Sequence, residues 1–289
     1  MKWCEMSSFL NPYIQESIAL SSKFNNDYIL TIQYSLDGLC FIIFDIENQK
    51  FVSLKHYKTE KNIPLDILLS ELQDNEGWKI NDFYKVYFII DNQYNTFIPS
   101  QLYQNNLKER YLDLLNIPHD DLIETDDISY FNIRNVYPIF KDIENSISSF
   151  NDTIKIRHSS TILVESLIKE FKNRTPEARA FVNVKNNYYE LTIINNCDLI
   201  FHNYFYFNTK EDFLYFILFT FEQLHLDNEI VPLYFMGFIE EKSTIVELCS
   251  RFIRNIRFYN RNNDYEYITE LDSVPYYYYY TLYNSVSCE

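Results

Sequence analysis

The chain repeats one order of predicted secondary-structure elements, and this repeat restricts its possible folds more than any other feature. In Tyr28–Ile90, alternating and continuous apolar runs predict three strands, then a helix, then a fourth strand. Ala180–Phe238 predicts the same order at nearly the same spacing. A helix that returns the chain to a parallel strand of the same sheet forms a right-handed crossover. The repeat therefore predicts two α/β domains, each with a mixed sheet of at least four strands and helices.

Local signals mark the ends of these elements. Asp37-Gly38 is a typical hairpin turn between two apolar strands, and Asn186-Asn187 is the corresponding turn of the second copy. Pro64 suits the first turn of a helix, where its missing N–H costs nothing. The second copy contains a predicted helix at Lys210–Leu224 and is followed by a final amphipathic helix at Lys242–Asn255.

The predicted boundary between the domains is a proline-containing stretch, Asn173–Glu177. The first domain then covers residues 1–176, with a polar lead-in at 1–26 and an insertion-like middle at 101–157. The second domain covers residues 177–289.

The middle of the first domain is less regular than the rest. It predicts a helix at Gln101–Leu115, a hairpin of Asp120–Asp127 with Phe131–Tyr137, and a helix at Pro138–Phe150. A further helix follows at Ser159–Lys172, with Ser159 as its expected N-cap.

A run of tyrosines, Tyr276–Tyr280, lies close to the end of the sequence. We interpret it as a terminal segment that docks back on the body of the protein, with Tyr276, Tyr280 and Tyr283 facing inward at helical spacing. The alternative is an aromatic surface for a partner, since tyrosine is enriched at interaction hot spots.

Composition excludes two large classes of nucleotide-binding protein. The chain has 3 glycines, Gly38, Gly77 and Gly237, in 289 residues. Rossmann and P-loop proteins need closely spaced glycines, because their backbone must approach phosphate with positive φ. Three isolated glycines cannot form either motif.

The net charge and the pattern of cysteines restrict the possible binding partners and the cellular compartment of the protein. Lys and Arg total 25 against 41 Asp and Glu, and the net charge of −16 repels phosphate backbones, so nucleic acid is not expected as a partner. The five cysteines lack any C-x-x-C pair and are read as reduced thiols. We find no apolar signal-peptide segment, and the longest apolar run, Phe213–Phe221, is about half the ~20 residues of a membrane helix. We therefore expect a cytoplasmic protein that does not span a membrane.

Three segments resemble a known group of proteins: Tyr28–Asp45, Asn208–Leu224 and Tyr283–Glu289. The resemblance is to a family of uncharacterised bacterial proteins with an actin-like ATPase (ribonuclease H-like) fold, and more distantly to actin-like components of pilus assembly and type II secretion. It covers almost the whole chain and implies duplicated ribonuclease H-like domains, each with a mixed five-stranded sheet and helices. It brings no established activity and no catalytic residues.

The resemblance also implies where a nucleotide would bind. Actin-like ATPases hold Mg·ATP with two D-x-G-type hairpins and an adenosine loop with a glycine pair. The first hairpin here has Asp37 and Gly38, which fit water-mediated Mg²⁺ binding and a loop bent toward phosphate. The second hairpin, Lys185–Tyr188, has neither Asp nor Gly, and the adenosine loop has Gly237 alone beside the bulky Phe238.

Other candidate sites have simpler interpretations. Asp37, Asp45 and Asp91 lie at strand ends, as nuclease carboxylates would, but strand ends are ordinary places for aspartate. His158-Ser159-Ser160 lacks the G-x-S-x-G elbow of a hydrolase.

Two charged segments are also read as structural. The acidic residues of His119–Asp127 are read as a solvated loop rather than a metal site. Arg251, Arg254 and Arg257 are read as partners of internal ion pairs rather than as a face for an acidic partner.

Two functional hypotheses follow. The first is a non-catalytic actin-like scaffold or interaction module with an unknown protein partner, no cofactor and degenerate nucleotide loops. The alternative is a divergent ATPase that binds Mg·ATP through Asp37, Gly38 and Gly237. The sequence does not determine the partner, the pathway, the oligomeric state or whether the interdomain cleft binds a ligand.

Overall fold

The computed structural model describes residues 10–17, 27–36, 38–59, 63–115, 121–148, 154–172 and 177–287. Within those ranges the strands are β1 (Leu10–Ser17), β2 (Tyr28–Ser35), β3 (Gly38–Asp45), β4 (Lys50–Thr59), β5 (Lys85–Asp91), β6 (Thr96–Pro99), β7 (Leu122–Ile128), β8 (Ile133–Ile139), β9 (Ile154–His158), β10 (Ala178–Val184), β11 (Tyr188–Asn195), β12 (Asp198–Tyr206), β13 (Leu233–Gly237), β14 (Ile256–Phe258) and β15 (Glu266–Tyr267). The α-helices are α1 (Leu65–Glu76), α2 (Lys141–Ile147), α3 (Ser159–Phe171), α4 (Lys210–Gln223), α5 (Thr244–Cys249) and α6 (Tyr280–Asn284). Short 3₁₀ helices cover Ile80–Asp82, Asn105–Leu115, Ser129–Phe131, Thr269–Ser273 and Ser285–Ser287.

The chain divides into two compact units. The first comprises Met1–Thr161, Asn263–Ser273 and Glu289, and the second comprises Ile162–Asn262 and Val274–Cys288. Most of the predicted boundary segment, residues 173–176, lies outside the described residues. The boundary at 176/177 therefore stays a prediction.

A seven-stranded mixed sheet forms the centre of the first unit. Its order is β1-β4-β3-β2-β5-β9, and β15 pairs with the start of β4. β2, β3 and β4 form an antiparallel meander, whereas β5 is parallel to β2 and β9 is parallel to β5. β3 is buried along its whole length, as its continuous apolar sequence predicts.

The first sheet has more strands than the five predicted, because it also contains β1 and β15. β1 lies in the stretch interpreted as a lead-in, and its register shifts between Pro12 and Ile14. Proline cannot donate a hydrogen bond to a neighbouring strand but is tolerated on an edge strand. Pro12 therefore argued against a strand in the sequence, although β1 forms at the edge of the sheet. β15 is only two residues long and lies far from β4 in sequence, so no local pattern indicates it.

The insertion-like middle forms a second, three-stranded sheet in the order β6-β8-β7. The predicted hairpin is confirmed as the antiparallel pair of β7 and β8. The predicted helix at Gln101–Leu115 is a 3₁₀ helix at Asn105–Leu115, and Leu112 at its end packs in a small core with Ile123 and Val136.

The second unit has a five-stranded sheet in the order β12-β11-β10-β13-β14. Its first three strands are antiparallel, and β13 and β14 continue in parallel from β10. The order and directions correspond to those of β4-β3-β2-β5-β9 in the first sheet.

The predicted helix at Lys242–Asn255 is wrong over half its length. α5 contains only six residues, and the chain then enters β14, whose Phe258 stacks on Phe235 of β13 with ring centroids 5.6 Å apart. Three residues of parallel pairing are too short to show a strand period in the sequence.

Helix α4 differs from its predicted environment. Its apolar residues lie nearly all round the helix, which favours burial on all sides. In the structure Phe213, Ile217 and Phe221 are buried, but Tyr215 and Phe219 are 59% and 45% exposed. One face of α4 therefore carries aromatic rings at the surface.

The tyrosine-rich segment lies in the second unit. Tyr277, Tyr279, Tyr280 and Tyr283 are buried there, whereas Tyr276 is 41% exposed. The inward orientation predicted for Tyr276 is therefore wrong. Among the described residues, no helix has the length and hydropathy that crossing a bilayer requires.

Candidate functional site

The first predicted nucleotide hairpin connects β2 to β3. Asp37 lies outside the described residues. Gly38 has φ +144°, and a Cβ at this position would lie 2.1 Å from the backbone oxygen of Tyr57 on β4. Glycine is therefore required here by the close approach of a neighbouring strand, whether or not a ligand binds.

Gly237, at the end of β13, has an equally close neighbour in the second unit. Its φ is +81°, and an added Cβ would lie 2.2 Å from the backbone oxygen of Val184 and 2.6 Å from Asn183 Oδ1. Its position at the end of a strand accounts for this residue only in part. What requires glycine is the contact with the end of β10.

The backbone amides around Gly237 all have acceptors within the second unit. Gly237 N–H donates to Tyr277 O at 2.9 Å, and Phe238 N–H donates to Val184 O at 2.8 Å. Ile239 N–H donates to Gly237 O at 3.0 Å. Three consecutive amides of the predicted adenosine loop are thus engaged by the protein.

The second hairpin closes tightly. Lys185 N–H donates to Tyr188 O at 2.9 Å across Asn186-Asn187, which gives the predicted two-residue turn. The Asn187 carbonyl accepts from Phe207 N–H at 3.2 Å.

The three predicted cofactor residues therefore fall in different places. Asp37 lies outside the described residues, Gly38 belongs to the first unit, and Gly237 belongs to the second. The contacts of each glycine are with its own unit.

The structure does not bring the nuclease candidates Asp45 and Asp91 together. Asp45 pairs with Tyr28 at the start of β2, and Asp91 pairs with Ser35 at its end. Seven residue steps along a strand separate them by roughly 23 Å, too far to share metal ions. The described residues contain no group of three or more His, Cys, Asp or Glu side chains that could hold a metal ion.

A buried polar network lies instead at the end of β5 and β9, and the sequence did not indicate it. Asp91 Oδ2 accepts from Gln33 Nε2 at 2.7 Å, and its Oδ1 accepts from Ser159 Oγ at 2.9 Å. Ser159 is fully buried. Its hydroxyl therefore bonds Asp91 rather than the imidazole of the adjacent His158, so the two residues do not form a Ser–His nucleophile pair.

His158 is the N-cap of α3, a role that the sequence assigned to Ser159. Its Nδ1 accepts from Ser160 N–H at 3.2 Å and lies 3.1 Å from Asn95 Nδ2. Both partners are donors, so Nδ1 carries no proton, and Nε2–H donates to Asn92 Oδ1 at 3.3 Å. The ring is thus neutral and fully buried.

Asp126 of β7 joins this network to the three-stranded sheet. Its Oδ2 accepts from His158 N–H at 3.0 Å and from Thr161 Oγ1 at 2.6 Å, and its Oδ1 accepts from Tyr137 OH at 3.1 Å. The predicted solvated acidic loop is wrong at this residue. His119 and Asp120, from the same predicted loop, lie outside the described residues.

The half-buried, hydrogen-bonded Asp126 makes stability depend on pH. Burial raises the pKa of its carboxyl above the ordinary 3.8, although Arg157 and the hydrogen bonds oppose the shift. The folded state therefore holds this proton more tightly than the unfolded chain. We expect the unfolding free energy to fall as pH rises from 3.8 through the folded pKa, with a slope of up to ~1.4 kcal/mol per pH unit between the two pKa values.

This dependence can be measured by urea unfolding of the wild type and Asp126→Asn between pH 3.5 and 7. The variant has no carboxyl at this position, so the difference in stability between the two proteins should change with pH. Parallel profiles would contradict the assignment.

The arginines have partners within the second unit. Arg254 pairs with Glu229 at 3.3 Å, and Arg251 pairs with Glu247. Arg257 donates to Tyr234 OH at 3.1 Å. The predicted internal ion pairs are confirmed for Arg251 and Arg254.

Comparison with known protein families identifies the chain. Residues 19–256 match the model of DUF3822, a family of proteins of unknown function. The chain belongs to the DUF3822 family. A search of curated proteins gives no match.

Solved structures show the fold of this DUF3822 member. A protein of unknown function from Bacteroides thetaiotaomicron, with an actin-like ATPase fold, aligns with a TM-score of 0.73 at 17% identity over 88% of this chain and 98% of its own. The PilM-PilN type IV pilus biogenesis complex aligns with a TM-score of 0.63 at 8% identity, over 90% and 98% of the two chains. The actin-like fold and the likeness to pilus-assembly proteins are confirmed, and at these identities the likeness shows the fold alone.

Proposed function

We propose that this protein is a non-catalytic actin-like scaffold or protein-interaction module with degenerate nucleotide loops. The observation that carries the proposal is the engagement of consecutive amides at Gly237, Phe238 and Ile239 by carbonyls of their own unit. Phosphate-binding loops work by presenting free backbone N–H groups to the ligand. These three are not available for that purpose.

The two hairpins give further support. The Asn186-Asn187 turn is closed by the Lys185–Tyr188 hydrogen bond and offers no wide nest of amides. Gly38 is accounted for by the close approach of Tyr57. Neither hairpin therefore needs a nucleotide to explain its described residues.

A protein partner is the other half of the proposal. The structurally similar PilM was solved in complex with PilN, so a protein with this fold can act by assembling with another. We propose an unidentified protein partner in the cytoplasm and no nucleic-acid partner, because the net charge is −16. The matching strand orders of the two sheets also support an internal duplication, with domains at 1–176 and 177–289.

Thermal unfolding with and without saturating Mg·ATP tests the proposal. A ligand at about 100 times its Kd stabilises the folded state by ~2.7 kcal/mol, which raises the Tm by several degrees in a protein of this size. We expect no shift, because the amides at Gly237, Phe238 and Ile239 already have acceptors in the protein.

The alternative, a divergent Mg·ATP-binding protein, predicts the opposite result. A clear shift that is lost in Asp37→Ala but kept in Asp74→Asn would establish it. Asp74 is an exposed residue of α1, so its substitution removes one negative charge away from the hairpin. Unliganded Tm values of both variants show whether the substitutions alter folding.

A further inference from the structure

The first unit contains a cleft of about 550 Å³, which we call the α1–α2 cleft. Three pieces of chain line it: Tyr34 and Leu36 at the end of β2 and its turn, Ile63–Asp66 at the start of α1, and Asp142, Ile143, Asn145 and Ser146 of α2. Its volume is in the range of pockets that hold specific ligands, about 300–1,000 Å³.

Part of the lining is apolar and open to solvent. Leu36 is 76% exposed, Pro64 is exposed and Ile63 is half-buried, and together they form an aliphatic wall. Leu36 occupies the turn of a hairpin, where polar residues are usual. An apolar group placed in the cleft would remove this wall from water.

The charged part of the lining has one sign. Asp66 and Asp142 stand on different helices, both exposed, and neither has an ion-pair partner among the described residues. None of the described lining residues is Lys or Arg. Burial, and then the negative charge of Asp142, raise the pKa of Tyr34. The charge of Asp142 therefore acts on a neighbouring side chain of the cleft.

The two carboxylates and the aliphatic wall together favour a ligand that has both a positive charge and apolar groups. Anions such as nucleotide phosphates would be repelled by the two carboxylates. A peptide segment with a Lys or Arg between aliphatic residues satisfies both parts of the lining, since its basic group can bond to carboxylate while its neighbours cover the aliphatic wall.

We propose that the α1–α2 cleft binds a peptide segment of the protein partner. One Lys or Arg of the peptide is held by Asp66 and Asp142, and its flanking apolar residues lie against Leu36, Ile63 and Pro64. The inference rests on the proposed function, because it names the partner chemistry of an interaction module. Asp66 and Asp142 give specificity for the basic residue, and Leu36 gives the apolar contact.

Two matched octapeptide libraries test the proposal with the full-length protein. One library has Lys or Arg at a fixed central position with random aliphatic neighbours, and the other has Glu at that position. We expect binding from the basic library alone, measured by fluorescence anisotropy. For the best peptide, Asp66→Asn with Asp142→Asn should weaken binding about tenfold or more and reduce its salt dependence.

The matched control is Asp74→Asn with Glu144→Gln. It removes the same charge from the same two helices at exposed positions that do not line the cleft. Equal weakening in both double variants would overturn the proposal, because the effect would then come from the net charge. A third variant, Leu36→Ser, should weaken binding with its salt dependence unchanged. Tm measurements on every variant identify any loss of folding.

Other outcomes separate this inference from the proposed function. If neither library binds, or if spermidine binds and the peptides do not, the cleft is not a peptide site and the inference fails. A co-purified partner whose affinity is unchanged in Asp66→Asn with Asp142→Asn would also overturn it, while leaving the interaction module intact. A nucleotide-induced Tm shift would instead count against the proposed function alone.

Discussion

Gly237→Ala is expected to destabilise the second unit by about 3 kcal/mol. The left-handed φ of +81° costs a side-chain-bearing residue ~1–2 kcal/mol. The new Cβ would also lie 2.2 Å from Val184 O, and relieving such overpacking costs a further ~1–3 kcal/mol. The displaced backbone belongs to β10, the central strand of its sheet, so the strain falls on the core of the unit.

Urea unfolding followed by far-UV circular dichroism measures this effect, and Gly77→Ala is the matched control. Gly77 ends α1 with a similar φ of +73°, but nothing lies within 4 Å of an added Cβ. Its substitution should cost only the conformational term, about 1–2 kcal/mol. If both variants lose the same free energy of unfolding, the close contact of Gly237 with β10 does not contribute to stability.

His158→Ala is expected to destabilise the first unit by about 3–5 kcal/mol. Truncation leaves a buried cavity beside Tyr137, whose ring centroid lies 5.1 Å from that of the imidazole. It also removes an acceptor of Ser160 N–H at the start of α3 and a partner of Asn95 Nδ2. Unsatisfied buried donors cost about 1–3 kcal/mol each.

A second substitution separates the cap from the cavity. Asparagine is among the best N-cap residues, so His158→Asn should recover about 1 kcal/mol of the loss. Tyr130→Ala, at an 83% exposed position of the first unit, should have little effect. Equal stability of His158→Ala and His158→Asn would show that the imidazole does not cap α3.

The structure explains which sequence predictions hold. Patterns that depend on neighbouring residues were reliable. The β2–β3 hairpin follows from Asp37-Gly38, and the β7–β8 hairpin lies at the segments predicted for it, Asp120–Asp127 and Phe131–Tyr137. The helix after Pro64 ends at Gly77, whose left-handed conformation is typical of a helix end. These features can be predicted from short stretches of sequence, because turn chemistry and side-chain periodicity act over a few residues.

The predictions that failed depended on distant pairing. β14 and β15 are three and two residues long, and each forms only because a partner strand lies beside it. The Lys242–Asn255 segment has the apolar spacing of a helix, yet its last part leads directly into parallel pairing with β13. Local periodicity does not contain that information.

The candidate site likewise combines features that the sequence predicted with features that depend on distant contacts. The sequence identified Gly38 and Gly237 as unusual, since glycine is so scarce in this chain. Only the structure showed that each glycine accommodates a neighbouring backbone, and that Asp91, Asp126 and His158 belong to one polar network.

By itself the sequence determined the α/β class, the repeated order of strands and helix along the chain, the absence of Rossmann and P-loop motifs and the acidic net charge. Each of these follows from composition or short-range pattern. Tertiary structure alone decided which amides around Gly237 have acceptors, which residue caps α3, and that Asp66 and Asp142 line one cleft. Those properties depend on contacts between segments that are far apart in sequence. Folding creates such contacts, and no local pattern records them.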